Sequence, residues 1–196
     1  PAWAFGQSGA RFWFPPAVSS YGAQVDRLFM IILAITGAIF FLVEGALLWF
    51  LIRYRRRDGS KAAYIHGNTR AELIWTIIPA LIVIYLAAAS QRVWAHIQGP
   101  PPPHQLELEV QGEQFAWNIR YAGPDGRLHT ADDLETINQL HLPVGHVVLI
   151  HLASKDVIHS FFLPQFRIKR DAVPGMTSRM WVQATTPGNF EIVCAE

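Results

Sequence analysis

The stretch LFMIILAITGAIFFLVEGALLWFLI, Leu28 to Ile52, runs for 25 residues with Glu44 as its only charge. As a helix it would reach about 38 Å, enough to cross the roughly 30 Å hydrocarbon layer of a membrane. A core helix of a water-soluble domain rarely needs so many consecutive apolar positions. A second run, Leu73 to about Trp94, contains Pro79 and no charge before Arg92. Together they predict a two-helix transmembrane hairpin over 28–97, with helices at about 28–52 and 73–95. Composition agrees, since the 196 residues are 51% hydrophobic and only 16% charged. With a net charge of +1 the chain carries no overall basic excess, and no nucleic-acid partner is expected.

Orientation follows from charge. Between Arg53 and Arg70 lie Arg53, Arg55, Arg56, Arg57, Lys61 and Arg70 against Asp58 alone, a net of +5 in a short link. Loops with such an excess stay in the cytoplasm, so the link 53–72 is cytoplasmic and both flanks, including an N-terminal segment over 1–27, are extracytoplasmic. Trp49 and Trp94 stand near run ends as interfacial anchors. The start at Pro1, without methionine, fits removal of an export signal. Glu44 lies within the apolar run and has to be protonated, paired or turned toward protein.

After Trp94 the composition changes. Gly99 and the four prolines Pro100 to Pro103 cannot continue a helix and form a stiff extended linker over 98–104. From Gln105 onward short alternating runs appear at 106–110, 115–121, 137–142, 147–152, 157–163, 180–184 and 190–193. Turn signals separate them, among them Pro124-Asp125-Gly126, Pro174-Gly175 and Pro187-Gly188. Seven short strands over 105–196 predict a β-sandwich or barrel. From His104 onward there are 11 acidic and 7 basic residues, a net of −4. Such a face attracts a cationic soluble partner, although a solvated surface is the plainer reading.

Two positions carry chemistry. His159 closes the run Asp156-Val157-Ile158-His159-Ser160, and the only cysteine, Cys194, stands in Phe190-Glu191-Ile192-Val193-Cys194-Ala195-Glu196. An imidazole, a thiolate and an acidic oxygen begin a soft-metal site but do not complete one. A lone cysteine without a disulfide partner is otherwise a small buried hydrophobe. The remaining histidines of the β-region, His104, His129, His141, His146 and His151, read as surface or hydrogen-bonded residues. Gly123 to Asp133 holds three aspartates, whose spacing is not that of a calcium loop, and reads as a hairpin loop.

The ordered set of motifs resembles subunit II of the haem-copper cytochrome c oxidases. It comprises two membrane runs with Glu72-Leu73-Ile74-Trp75-Thr76-Ile77-Ile78-Pro79 in the second, then Ser154 to Ser160, Asp171-Ala172-Val173-Pro174-Gly175, Pro187-Gly188-Asn189-Phe190 and Cys194-Ala195-Glu196. The resemblance implies an all-β cupredoxin-like domain, a Greek-key β-sandwich, that carries the dinuclear copper centre CuA and takes electrons from cytochrome c. It passes them to haems in subunit I, where oxygen is reduced while protons are pumped. His159 matches the first histidine ligand, Cys194 the first bridging cysteine, and Glu196 the glutamate whose backbone carbonyl is a ligand. The family's second cysteine, second histidine and methionine then belong further on, so the chain is expected to continue past Glu196 and the domain to be incomplete there.

The resemblance assigns further roles. The Glu196 carboxylate would reach a magnesium ion at the boundary with subunit I, and Asp171 resembles a residue near that region, or else organises its turn. Glu72 matches the glutamate at the mouth of the proton-uptake path called the K channel, and its plainer role is a carboxylate at the positive end of a helix. Phe115 occupies the place where mitochondrial-type relatives have their electron-entry tryptophan, while Trp117 matches the second tryptophan. The donor is therefore a cytochrome c docked differently, or a haem-bearing cytochrome domain fused after the copper domain. The expected setting is a bacterial-type cytoplasmic (inner) membrane, with subunit I and other membrane subunits as partners. A copper-free quinol-oxidase subunit II is the alternative; His159 and Cys194 argue against it. An exported copper chaperone or scaffold is disfavoured by the Glu72 to Pro79 motif.

Overall fold

The computed structural model describes residues 14–59, 61 and 64–196. Residues 1–13 of the expected N-terminal segment and residues 60, 62 and 63 of the expected cytoplasmic link lie outside them. Two long helices stand where the apolar runs were read: α1 is Gly22–Arg53 and α2 is Thr69–Gln98. At 32 and 30 residues they measure about 48 and 45 Å, longer than the apolar runs alone. The extension has local causes. Nothing between Ala23 and Arg27 breaks a helix, and α2 runs on until Gly99-Pro100 stops it. At its start Asn68 caps α2, its Oδ1 accepting from the backbone N–H of Arg70 (3.1 Å) and Ala71 (3.2 Å). Both helices keep apolar side chains exposed along their length, as expected of membrane-spanning segments.

The second unit is a β-sandwich. Its larger sheet contains β1 (Leu106–Glu113), β2 (Ala116–Tyr121), β3 (Leu134–Ile137), β4 (Val147–Ser154) and β7 (Ser178–Gln183), in the order β3-β2-β1-β4-β7. The smaller sheet is β6-β5-β8, from β6 (Ile168–Ala172), β5 (His159–Leu163) and β8 (Val193–Cys194). Strands β1 and β4 are parallel and all other neighbours antiparallel. Alternation sends Leu108, Val110, Ile119, Ile150, Leu152 and Val182 inward from one sheet to meet Phe161, Leu163 and Ile168 from the other. This is the cupredoxin-like sandwich after a helical pair that the sequence predicts.

Three strand expectations change. The run 137–142 is a strand only up to Ile137, at the end of β3. Asn138 there takes a left-handed conformation (φ 56°), and its side chain accepts from Trp117 N at 2.8 Å, which turns the chain out of the sheet. Strand β6 was not expected, because Ile168-Lys169-Arg170-Asp171-Ala172 is mostly charged. It pairs with β5 through its backbone and buries only its end residues Ile168 and Ala172. The run 190–193 contributes Val193 alone, and the strand is Val193–Cys194.

A further element comes from in front of the first helix. Residues Val18 to Tyr21 lie along the sandwich. Val18 N donates to Gln165 O (2.9 Å), Thr185 N to Val18 O (2.8 Å) and Ser20 N to Gln183 O (3.1 Å). Ser19 Oγ donates to Phe166 O (2.7 Å), and the buried Tyr21 hydroxyl donates to Trp181 O (3.2 Å) with the two rings edge to face at 5.0 Å. The last turn of α2 joins the same unit, with His96 edge-on to Trp181 and Ile97 against the core. The segment before α1 and the β-domain after α2 are therefore on one side of the membrane. An even number of crossings requires the same, and the charge of the link agrees.

Candidate metal centre

The site is built by the loop between β4 and β5 and by the end of the chain. Ser154 Oγ donates to Val157 O and accepts from Asp156 N at 3.3 Å, a tight side-chain turn that aims Asp156 back across the loop. The Asp156 carboxylate then ties three things together. Oδ2 accepts from Gln114 N at 2.8 Å, in the tip of the β1–β2 hairpin; Oδ1 accepts from Val157 N at 2.7 Å and lies 2.7 Å from His159 Nε2.

That contact decides the imidazole's chemistry. A carboxylate only accepts, so the proton sits on Nε2 and the lone pair is left on Nδ1. Nδ1 faces Cys194 Sγ at 4.0 Å, and Sγ in turn lies 3.2 Å from the backbone oxygen of Glu196. Register explains the convergence. Cys194 stands opposite Phe161 in the β5–β8 pair, and Ala195 N donates to Ser160 O at 3.1 Å, so the chain beyond Cys194 runs back along His159. A nitrogen lone pair, a sulfur and a carbonyl oxygen meet in one place, a donor set that suits a soft metal. Among the described residues no three His, Cys, Asp or Glu side chains form a closed cluster; what is present is two side chains and one carbonyl.

The electrostatics match this reading. The His159 imidazole, with the Gln114 and Val157 amides, holds the Asp156 carboxyl down to about 2. Asp156 in turn raises His159, which burial opposes. Burial pushes the Cys194 thiol up, but hydrogen bonding at the Ser160 and Glu196 backbone and the His159 imidazole outweigh it, and the net shift is downward, toward the thiolate.

Around this point is a cleft of about 370 Å³ lined by Phe115, Trp117, Ile158, His159, Cys194 and Glu196. Phe115, at the hairpin tip, is 96% exposed, whereas Trp117 is 7% exposed and packs edge-on against both His159 (5.8 Å) and Phe161 (5.0 Å). Asp171 is not in its expected turn. It lies on β6, where it accepts from the buried Ser160 hydroxyl at 2.7 Å, next to His159. Glu72 belongs to the helical unit, in the first turn of α2. Glu44 is exposed on α1, and no hydrogen bond or ion pair is recorded for it among the described residues. The aspartates of the 123–133 loop bond within it or to Arg120: Asp132 to Thr130 Oγ1 (2.7 Å), Asp133 to His129 N (2.7 Å), Asp125 to Arg127 N (2.8 Å). His104 and His151 share the Glu107 carboxylate at 2.6 and 3.1 Å, and His129 meets Glu109 at 3.2 Å. The part played by Asp156 was not read from sequence, although an acidic residue three before a histidine in a strand-entry loop was the available signal.

Residues 7–93 match the transmembrane domain of cytochrome c oxidase subunit II, and residues 121–196 its periplasmic domain. The chain is 32% identical to cytochrome c oxidase subunit 2 of Thermostichus vulcanus over 93% of its own length and 69% of that protein. It is 31% identical to the alternative cytochrome c oxidase subunit 2 of Bradyrhizobium diazoefficiens, over 94% and 74% respectively. The solved periplasmic domain of subunit II (CoxB) of Bradyrhizobium japonicum is 26% identical and superposes with a TM-score of 0.42, over 50% of this chain and 76% of that one. A two-span membrane anchor bearing an extracytoplasmic β-sandwich is the class of protein defined here. The chain belongs to the cytochrome c oxidase subunit II family, and so is subunit II of a terminal oxidase, an oxidoreductase complex made with other oxidase subunits.

Proposed function

We propose that this chain is the electron-entry subunit of its oxidase, receiving electrons from cytochrome c at a dinuclear copper centre of which His159, Cys194 and the Glu196 carbonyl hold one part. The observation that carries this is the convergence of His159 Nδ1 (4.0 Å) and the Glu196 oxygen (3.2 Å) on Cys194 Sγ, with the outer imidazole nitrogen already engaged by Asp156. A copper pair held there would supply one-electron storage shared between two metals with little change of geometry. Asp156 fixes the ring orientation and tautomer. Phe115 presents an apolar ring to the donor, and Trp117 links that surface to the ligand imidazole through van der Waals contact. Electrons then leave for the haems of subunit I.

Two roles lie outside the copper ligands. The Glu196 carboxylate would hold a magnesium ion at the boundary with subunit I. Glu72, at the cytoplasmic start of α2, passes protons toward the oxygen-reducing site. The membrane is the bacterial inner membrane, with the β-domain outside it. A copper-free quinol-oxidase role gives no reason for sulfur, imidazole and carbonyl to meet.

The test is His159→Ala in the assembled oxidase. The variant should lose the near-infrared copper absorption and cytochrome c oxidation while the complex still assembles. Normal turnover in that variant would overturn the copper reading.

A further inference from the structure

The junction between α1 and the cytoplasmic link has a chemistry that the electron-transfer role does not use. Arg53 is the last residue of α1, and Arg55, Arg56 and Arg57 follow within four positions, all exposed. Among the described residues none of the four takes part in an ion pair, and the one acid between Arg53 and Arg70 is Asp58. Beside them in the chain Trp49, Phe50 and Tyr54 form an aromatic group, with ring centroids 5.1, 5.8 and 5.9 Å apart. The Arg53 guanidinium stands 5.7 Å from the Tyr54 ring centre.

We propose that the Arg53–Arg57 cluster and its aromatic collar form a binding site for the headgroup of an anionic phospholipid in the cytoplasmic leaflet. The layering matches a lipid, since the aromatic rings sit at the depth of the ester groups and the guanidiniums at the depth of the phosphates. All four cations of the cluster are arginine, whose planar fork engages phosphate oxygens in pairs, whereas orienting a helix requires only positive charge. The carbonyl end of the α1 dipole draws cations to the same place, so the arginines are held at the surface before any lipid arrives. An acidic face of another oxidase subunit is the competing occupant. It would have to bring several carboxylates to the lipid boundary.

The full chain is reconstituted in phosphatidylcholine vesicles containing spin-labelled phosphatidylglycerol or spin-labelled phosphatidylcholine, and the motionally restricted fraction of each label is measured. The same comparison is made on the assembled oxidase. Phosphatidylglycerol should be favoured by roughly fivefold at low salt, the effect of one well-placed basic residue, and the preference should fall to parity in molar salt. The double variant Arg55→Gln, Arg56→Gln leaves the link at a net +3, enough to keep its orientation, and should lose most of the preference. Equal restriction of both labels in the wild-type chain overturns the proposal and needs no variant to fold. So does a preference that the double variant keeps. A preference seen in the isolated chain but lost in the complex also overturns it, because another subunit then covers the arginines.

Discussion

Gly112 on β1 stands so close to His159 that a Cβ added there would lie 2.9 Å from Cδ2 and 3.0 Å from Cγ of the imidazole, with Trp117 Cζ3 also at 3.0 Å. The ring of the proposed ligand fills the place where this strand would otherwise carry a side chain. Two backbone strands and an aromatic wall leave it little room to turn.

Gly112→Ala should therefore act on the metal site before it acts on the fold. Overpacking of this kind typically costs about 1–3 kcal/mol, and here the side chain that yields is His159. Copper content and the near-infrared band of the assembled oxidase should both fall at near-normal subunit yield. A variant with wild-type copper content would mean that the ring has more freedom than these distances allow.

Asp156→Asn removes the charge but keeps an oxygen for the Gln114 and Val157 amides. Losing the acidic partner of a metal-ligating histidine commonly weakens metal binding by about 10–100-fold. Copper should leave the oxidase faster on challenge with a chelator, while Glu107→Gln, whose carboxylate meets His104 and His151 and does not line the cleft, should leave the rate unchanged.

Tyr21→Phe tests the link between the N-terminal segment and the sandwich. The hydrogen bond to Trp181 O should be worth about 1 kcal/mol. Burial raises the Tyr21 phenol well above its ordinary value. A group whose pKa is raised on folding stabilises fully below its unfolded value, about 10 for tyrosine, and the contribution is lost as pH rises beyond that. Melting followed by near-ultraviolet circular dichroism should thus show the wild type losing stability above about pH 10 more steeply than Tyr21→Phe.

Glu72→Gln keeps size and capping geometry but removes the titratable proton. As a proton-entry residue it should cost most of the oxygen turnover at unchanged copper content and complex yield. As a carboxylate at a helix start it would cost only about 0.3–1 kcal/mol of stability, with turnover intact. Oxygen consumption measured beside complex yield separates the two.

The membrane helices were legible because twenty or more apolar residues have few other uses, and most strands because alternation marks a sheet with one face buried. Strand β6 was hidden for the opposite reason: Lys169, Arg170 and Asp171 pair through backbone groups, which side-chain patterning does not report. His159 and Cys194 were legible as ligand candidates from their motifs. Asp156 and Gly112 stand in the same motifs, but their parts depend on which way the imidazole faces and on how near a neighbouring strand passes, and both are set by tertiary packing. Val18 to Tyr21 gave no strand signal at all, since four residues beside a long helix are too short to show a period.

The binding of that N-terminal segment to the sandwich sets an order of events in synthesis. Ser19 hydrogen-bonds to Phe166, 147 positions later, and Tyr21 to Trp181, 160 positions later. At about 5–20 residues per second, at least several seconds pass between export of the segment and the appearance of its partners. During that delay Val18 and Tyr21, both buried in the finished domain, lack the strands that cover them. A segment made ahead of both spans thus reaches its final hydrogen bonds only after both spans and most of the sandwich have been made.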